Sequence, residues 1–172
     1  MVPANEEGRT DVHWWLSHTR GRQIGRRVLL PVLAVAALAS AAGSADLNVV
    51  ETVQMDFGAV LDQNGSLTLG INDNLVADPA GIRAGGVLLS GRFLITGDPF
   101  AAFSLDLVGS ELDGLGIADF NTSSGQPPVL NAVLNGLGQL TIRFGAVLTV
   151  QAARAEPGLD RLLAYTISVN YN

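Results

Sequence analysis

The chain contains no cysteine and no lysine, and both of its histidines lie within the first 18 residues. Without cysteine there is no disulfide and no thiolate, so the fold must rest on packing and backbone hydrogen bonds. Beyond residue 45 there is also no histidine and no tryptophan. A domain without histidine, cysteine and lysine lacks the usual general bases, nucleophilic thiolates and imine-forming amines. The sequence therefore predicts no enzyme activity, no catalytic residues, no metal and no cofactor.

Positive charge is scarce in the same region. Residues 46–172 carry five arginines against 13 acidic residues, which gives a net charge of −8. Such a domain is repelled by the phosphates of nucleic acids and by anionic membrane surfaces. Nucleic acid is therefore excluded as a predicted partner.

A short apolar run near the N-terminus predicts the compartment. Residues 28–42 are apolar or small, follow the Arg26-Arg27 pair and precede Gly43-Ser44-Ala45. A positive flank, a short apolar core and small residues are typical of a secretory signal. The run is shorter than the roughly 20 residues that span a bilayer, so a signal is favoured over a membrane anchor.

From this pattern we predict a leader over residues 1–45, with the signal core and cleavage region at Val28–Ala45. Cleavage after Ala45 would release a product without a stable membrane anchor into the periplasm, onto the cell surface or into the medium. The leader is unusually long, which also suggests a true start codon downstream of Met1.

The remaining 127 residues have the size of one domain, which we place at 46–172. Their apolar residues recur with period two, as in Leu67, Leu69 and Ile71, and turn residues such as Asn64-Gly65 and Asn135-Gly136 separate the runs. Strands of this spacing without intervening helices predict a single antiparallel β-sandwich. The expected strands lie near 47–54, 56–61, 66–71, 86–96, 101–107, 129–134, 138–144, 146–151 and 162–171, with residues 109–128 as a long irregular crossover.

The last residues give the clearest strand pattern. From Leu163 to Tyr171 apolar and polar residues alternate without a break. This is the pattern of a half-buried strand that ends at the C-terminus. We therefore predict a terminal strand, a candidate for assembly, whose inward face carries Tyr165, Ile167, Val169 and Tyr171.

A set of short motifs, in this order, resembles the exported bacterial family called domain of unknown function 4402. The motifs are Met55-Asp56-Phe57-Gly58, Gly85-Gly86-Val87, Ile95-Thr96-Gly97 with Phe103-Ser104-Leu105, Leu148-Thr149-Val150, Pro157-Gly158 and Val169-Asn170-Tyr171-Asn172. That family is similar to pilin-like and spore-coat-U-like subunits. The resemblance implies an immunoglobulin-like sandwich, a role in a pilus-like surface assembly or in adhesion, and partners that are further copies of the chain or a periplasmic chaperone. The chain departs from this pattern in its shortened segment Leu88–Arg92 and in having no pilin-type disulfide.

Pilin-like polymers complete each subunit with a strand from a neighbour, a form of β-strand addition. A candidate donor segment follows the predicted cleavage site, with Leu47, Val49 and Val53 on one face and Glu51 interrupting that face. The same residues also fit the first strand of the domain itself. In that case the sandwich is complete and the protein could be monomeric.

Two further functions fit the residues. A monomeric binding module would use the 109–128 crossover to hold a saccharide or calcium, and Asp62-Gln63-Asn64-Gly65 weakly resembles part of a calcium loop. A carboxylate-based hydrolase would use Glu111, Asp113 and Asp119, although such residues are more often a solvated acidic loop. Most phenylalanines are expected in the core, with Phe100 and Phe120 as the two candidates for a ligand-stacking surface.

Overall fold

Every regular element that the structure describes is a β-strand. This computed structural model describes residues 45–152, 154 and 163–172, together with the backbone of residues 10–15. The strands are β1 (Thr10–Trp15), β2 (Asn48–Val53), β3 (Ala59–Val60), β4 (Gly65–Leu69), β5 (Leu75–Ala77), β6 (Arg83–Gly85), β7 (Gly91–Thr96), β8 (Ala102–Gly109), β9 (Glu111–Leu112), β10 (Leu115–Thr122), β11 (Val129–Val133), β12 (Gln139–Val150) and β13 (Ala164–Tyr171). Within these residues no helix is long and apolar enough to cross a membrane.

The strands form two main antiparallel sheets. Sheet A has the order β1-β13-β8-β11, and sheet B has the order β2-β7-β12-β10-β9. The long strand β12 pairs with β7 along its first half and with β4 along its second half, and β5 extends the sheet from β4. Strands β3 and β6 form a separate two-stranded ribbon.

The core lies between the two sheets because the inward side chains of both have period two. An aromatic cluster joins them at the centre: Phe93 stacks on Phe144 at 4.7 Å between ring centroids, and Tyr165 from sheet A meets Phe144 edge-on at 5.3 Å. These three side chains are at most 1% exposed. Full burial of one large apolar side chain stabilises the fold by about 1.5–3 kcal/mol, so this contact between the sheets holds the sandwich together. The predicted all-β sandwich is confirmed.

The predicted irregular crossover at 109–128 was wrong, because this segment contains the two-residue strand β9 and the eight-residue strand β10. Asp113 and Gly114, at φ 48° and 76°, form the two-residue turn that joins them. In β10 the pairing with β12 shifts between Ala118 and Asn121, and Asp119 has φ 50°. This bulge breaks the period of two between Ile117 and Phe120, which hid the strand in the sequence.

Most of the predicted leader lies outside the described residues. Residues 1–9 and 16–44 are not described, so the signal core and cleavage site within Val28–Ala45 stay a prediction. The backbone of β1 runs antiparallel to β13, from Thr10 opposite Val169 to Trp15 opposite Ala164.

Candidate functional site

The C-terminal strand β13 is the centre of the candidate site. It pairs with β8 in an unbroken register from Tyr165 opposite Gly109 to Tyr171 opposite Phe103. Tyr165 is 1% exposed, and Ile167 and Val169 are fully buried, whereas Tyr171 is half-buried and packs against the core. The terminal strand that the sequence indicated is therefore present, and its inward side chains lie in the core.

The backbone of β13 bonds to β8 through alternate residues. Asn172 donates its N–H to the Ala102 carbonyl at 3.1 Å, and Ala164 donates its N–H to the Ser110 hydroxyl at 3.0 Å. In an antiparallel strand, successive residues direct their N–H and C=O groups to opposite sides. The backbone groups of the odd-numbered residues, Tyr165 to Tyr171, therefore point away from β8, toward the outer edge of sheet A.

That outer edge differs from the other sheet edges of the described strands. Strands β2 and β11 are interrupted by register shifts, and β5 and β9 have only three and two residues. Short length and bulges are devices that protect edges against pairing with other chains. β13 has eight residues, reads AYTISVNY, and contains no charge, proline or glycine. Among the described strands, its partner on the outer side is β1, which belongs to the predicted leader.

A polar contact crosses the interior from sheet A to sheet B. The Tyr165 hydroxyl donates a hydrogen bond to the carboxylate Oε1 of Glu51 on β2, and the Met55 backbone amide also hydrogen-bonds this hydroxyl. Burial raises the pKa of Glu51 above its ordinary value, and the hydrogen bond from Tyr165 partly opposes that shift. Burial and the neighbouring Glu51 charge raise the pKa of Tyr165, so the phenol stays protonated. Sequence analysis identified Glu51 only as an interruption of the apolar face and missed its partner.

Tyr171 makes a second connection between the strand ends. Its hydroxyl accepts a hydrogen bond from the Asp98 backbone N–H at 2.9 Å and donates one to the Ala45 carbonyl at 2.6 Å. The end of β13 is thereby tied to the chain segment that leads into β2. Both contacts show that β2 and β13 lie on the same side of the sandwich.

The candidate donor segment forms a strand of its own domain in this structure. Leu47 and Val49 are 6% and 5% exposed, Val53 is half-buried, and β2 pairs with β7 from Asn48 opposite Thr96 onward. This pairing agrees with the alternative that the segment is the first strand of its own domain. Donation of this segment to a neighbour would require it to leave β7.

An ionic cluster lies on the outer face of sheet B. Arg92 on β7 and Arg143 on β12 are directly opposite each other, and both contact Oδ2 of Asp73, at 3.2 and 3.0 Å. Oδ1 of Asp73 accepts hydrogen bonds from the Ser90 backbone and hydroxyl, both at 2.7 Å. The bonds from Ser90, with the two arginines, lower the pKa of Asp73. Asp73 thereby fixes the β4–β5 turn to the sheet, and its carboxylate offsets the repulsion between the two facing arginines.

The acidic side chains proposed for calcium binding do not form a metal-binding group among the described residues. Across the part of the chain that the structure describes, no group of three or more acidic, histidine or cysteine side chains could hold a metal ion. Glu111 instead lies 4.0 Å from Arg154 at the surface. An open groove nearby is lined by residues of β4, β12 and two loops, among them Ser66, Ala80 and Thr149.

The phenylalanines divide as expected except for one. Phe120 is 5% exposed and belongs to the core, so the prediction of a surface role for it was wrong. Phe100 is 74% exposed, and its ring lies beside Gly136, next to the 80% exposed Leu137. Its φ of 61° is unusual for a bulky residue and costs about 1–2 kcal/mol. Phe100 from the β7–β8 loop and Leu137 from the β11–β12 loop thus present two apolar side chains to solvent.

Comparison with known proteins adds no name to this geometry. No family model matches the chain, and neither a curated protein nor a solved structure does.

Proposed function

We propose that the protein is a non-enzymatic, exported structural or adhesive subunit of a pilus-like cell-surface assembly, and that it accepts a strand from another chain along β13. The observation that carries this proposal is the outer edge of β13, which has none of the usual edge protections and which pairs, among the described strands, with β1 of the predicted leader. The resemblance to domain of unknown function 4402, which implies an immunoglobulin-like sandwich, points in the same direction.

The physical reason is that an exposed edge of this kind readily pairs with another strand. Its outward N–H and C=O groups are a template for another strand, and soluble proteins blunt edges of this kind with charges, prolines or bulges. β13 has none of these along its eight residues. Removal of the leader would take β1 away and leave β13 paired on one side, so the exported domain would gain from an incoming strand.

The remaining chemistry agrees with a structural role. Residues 46–172 contain no histidine, cysteine or lysine, and the core is packed with apolar side chains between the two sheets. In this proposal, the strand that pairs with β13 comes from another processed chain or from a periplasmic chaperone.

The test is a charge placed on the edge. The double variant Thr166→Lys, Ser168→Lys adds two positive charges to the outer face of β13. The inward side chains are unchanged, because they alternate with these two residues and lie on the other face. The processed double variant should stay monomeric where the wild type forms higher species in size-exclusion chromatography with light scattering. The matched control is Val108→Lys on β8, a residue of the same face that is 60% exposed and lies opposite Thr166, one strand further from the edge. Equal assembly of the edge variant and the wild type would reject the proposal.

A monomeric binding module is the second candidate, and the observation that favours it is the exposed Phe100–Leu137 pair. A rigid aromatic side chain presented to solvent is a frequent anchor for partners. In this case the processed protein is a clean monomer, and a ligand raises its melting temperature. Phe100→Ser should abolish that rise without lowering the melting temperature of the free protein.

A further inference from the structure

The open side of the sandwich, between β2 and β13, contains an interior carboxylate. Glu51 projects from β2 toward sheet A and is half-buried. Among the described residues, the hydrogen bond to its side chain comes from the Tyr165 hydroxyl through Oε1, and no described cation forms a salt bridge with it. An interior carboxylate without a cation is an unfavourable arrangement unless further donors reach it.

An incoming strand on β13 would bring one side chain to this carboxylate. Residues directly opposite each other on paired strands share a face, with Cβ atoms about 4.5–5.5 Å apart. The residue opposite Tyr165 therefore points into the space between the sheets on the side where Tyr165 meets Glu51. The register of β1 shows that a strand can occupy this position, since Trp14 lies opposite Tyr165.

We propose that Glu51 is a specificity-determining residue of the strand-acceptor site, and that it selects strands with a basic or amide side chain opposite Tyr165. The partner is thus an extended segment with alternating apolar residues in which one inward position carries arginine, lysine or glutamine. This inference rests on the proposed function, because it concerns the same edge.

Electrostatics strengthens the preference. The domain carries five arginines against 13 acidic residues beyond residue 45, so a cationic segment is attracted at long range and an acidic one is repelled. The four described arginines do not supply the charge locally: Arg92 and Arg143 bind Asp73 on the outer face, Arg83 donates to the Gly86 carbonyl and Arg154 contacts Glu111. Among the described residues no cation is therefore left for Glu51, and in this proposal the partner strand supplies one.

The experiment uses labelled peptides and the exported, processed protein made from the full-length gene. Four peptides share one alternating valine–threonine frame and differ only at the position opposite Tyr165, which holds arginine, glutamine, leucine or glutamate. Fluorescence anisotropy gives each Kd. The arginine peptide should bind at least about 10-fold tighter than the leucine peptide, and the glutamate peptide weakest, with the arginine preference shrinking as salt is added.

The controls separate the two proposals. Glu51→Gln keeps an acceptor for Tyr165 and should remove the preference for arginine, while Glu51→Arg should favour the glutamate peptide. A peptide with arginine four positions away, opposite Val169, should show no advantage over leucine. Equal binding of all peptides, or an unchanged ranking with Glu51→Gln, overturns this inference and leaves the strand-acceptor role intact. Failure of every peptide to bind overturns both.

Discussion

The contact between Tyr165 and Glu51 makes a quantitative prediction about stability. Tyr165→Phe removes one hydroxyl and leaves the ring, which packs edge-on against Phe93 at 6.2 Å and against Phe144 at 5.3 Å. The aromatic packing is therefore retained, and the change reports on the hydroxyl alone. Glu51 loses the side-chain donor that reaches it through the interior.

The size of the effect follows from the burial of the carboxylate. A hydrogen bond to a charged group contributes about 1.5–3 kcal/mol, and its loss leaves the acceptor desolvated. We expect Tyr165→Phe to lower the free energy of unfolding by that amount. Glu51→Leu should cost less than about 1 kcal/mol, because it removes a carboxylate that burial disfavours and because the Met55 amide still hydrogen-bonds the Tyr165 hydroxyl.

The double variant distinguishes a coupled pair from two independent side chains. Because the two side chains contact each other, Tyr165→Phe should cost little in the Glu51→Leu background, and the coupling free energy should be at least about 1 kcal/mol. Urea titration gives the free energies, and thermal melts give shifts of about 4 °C per kcal/mol for a domain of this size. Additive effects of the two changes would refute the reasoning.

The pH dependence of the same pair has a definite sign. Because burial raises the pKa of Glu51, the folded chain holds this proton to a higher pH than the unfolded chain does. The contribution of Glu51 to the free energy of unfolding therefore increases as the pH falls through its folded-state pKa. The increase is complete below the pKa of the unfolded chain, near 4.5. Glu51→Gln should flatten this part of the profile, above about pH 4.5, and a profile identical to that of the wild type would contradict the raised pKa.

Further predictions concern processing, the ionic cluster, metal removal and the chain end. Exported protein should begin at Asp46 and lack tryptophan fluorescence, since both tryptophans lie in the leader; an intact mass that retains residues before Val28 would contradict this. Asp73→Asn should lower the free energy of unfolding by about 1 kcal/mol, because two facing arginines lose their counter-charge. The control Asp62→Asn, at an exposed position, should cost nothing measurable. The stability that Asp73 contributes is present above about pH 3.8 and is lost as the pH falls through its lowered pKa. EDTA should leave the melting temperature unchanged, and a fall of several degrees would revive a calcium site. Tyr171→Ala should cost about 2–3 kcal/mol, checked by urea unfolding, through lost packing and the lost contacts to Asp98 and Ala45.

Local patterns explain which strands could be predicted from the sequence. β13 alternates without interruption, so period two alone predicts it. The same period predicted strands near 138–144 and 146–151, which the structure joins through Gly145 into the single strand β12. β10 could not be found in this way, because the bulge at Asp119 shifts its inward positions from odd to even residues. One signal was present: Asp113-Gly114 is a favoured pair for the tight turn of a hairpin, and it indicated a strand on each side.

The sequence predicted the strand β13 of the site but not the hydrogen bond between Tyr165 and Glu51. Alternation placed Tyr165 on the inward face, but the partner of its hydroxyl depends on how β2 of one sheet lies over β13 of the other. That relation arises from packing across 114 residues of sequence separation, which no local pattern contains. For the same reason Glu51 looked like a defect in an apolar face.

Two unfavourable features meet on one side of this sandwich. The edge of β13 has the length and composition that protected edges avoid, and the interior beside it holds a carboxylate that forms no salt bridge with a described cation. Each feature alone lowers stability or solubility, and each is relieved by the same event, the addition of a strand with a suitable inward side chain. Departures from local consistency are expected at functional sites, so their coincidence between β2 and β13 supports the proposal that the protein binds its partner there.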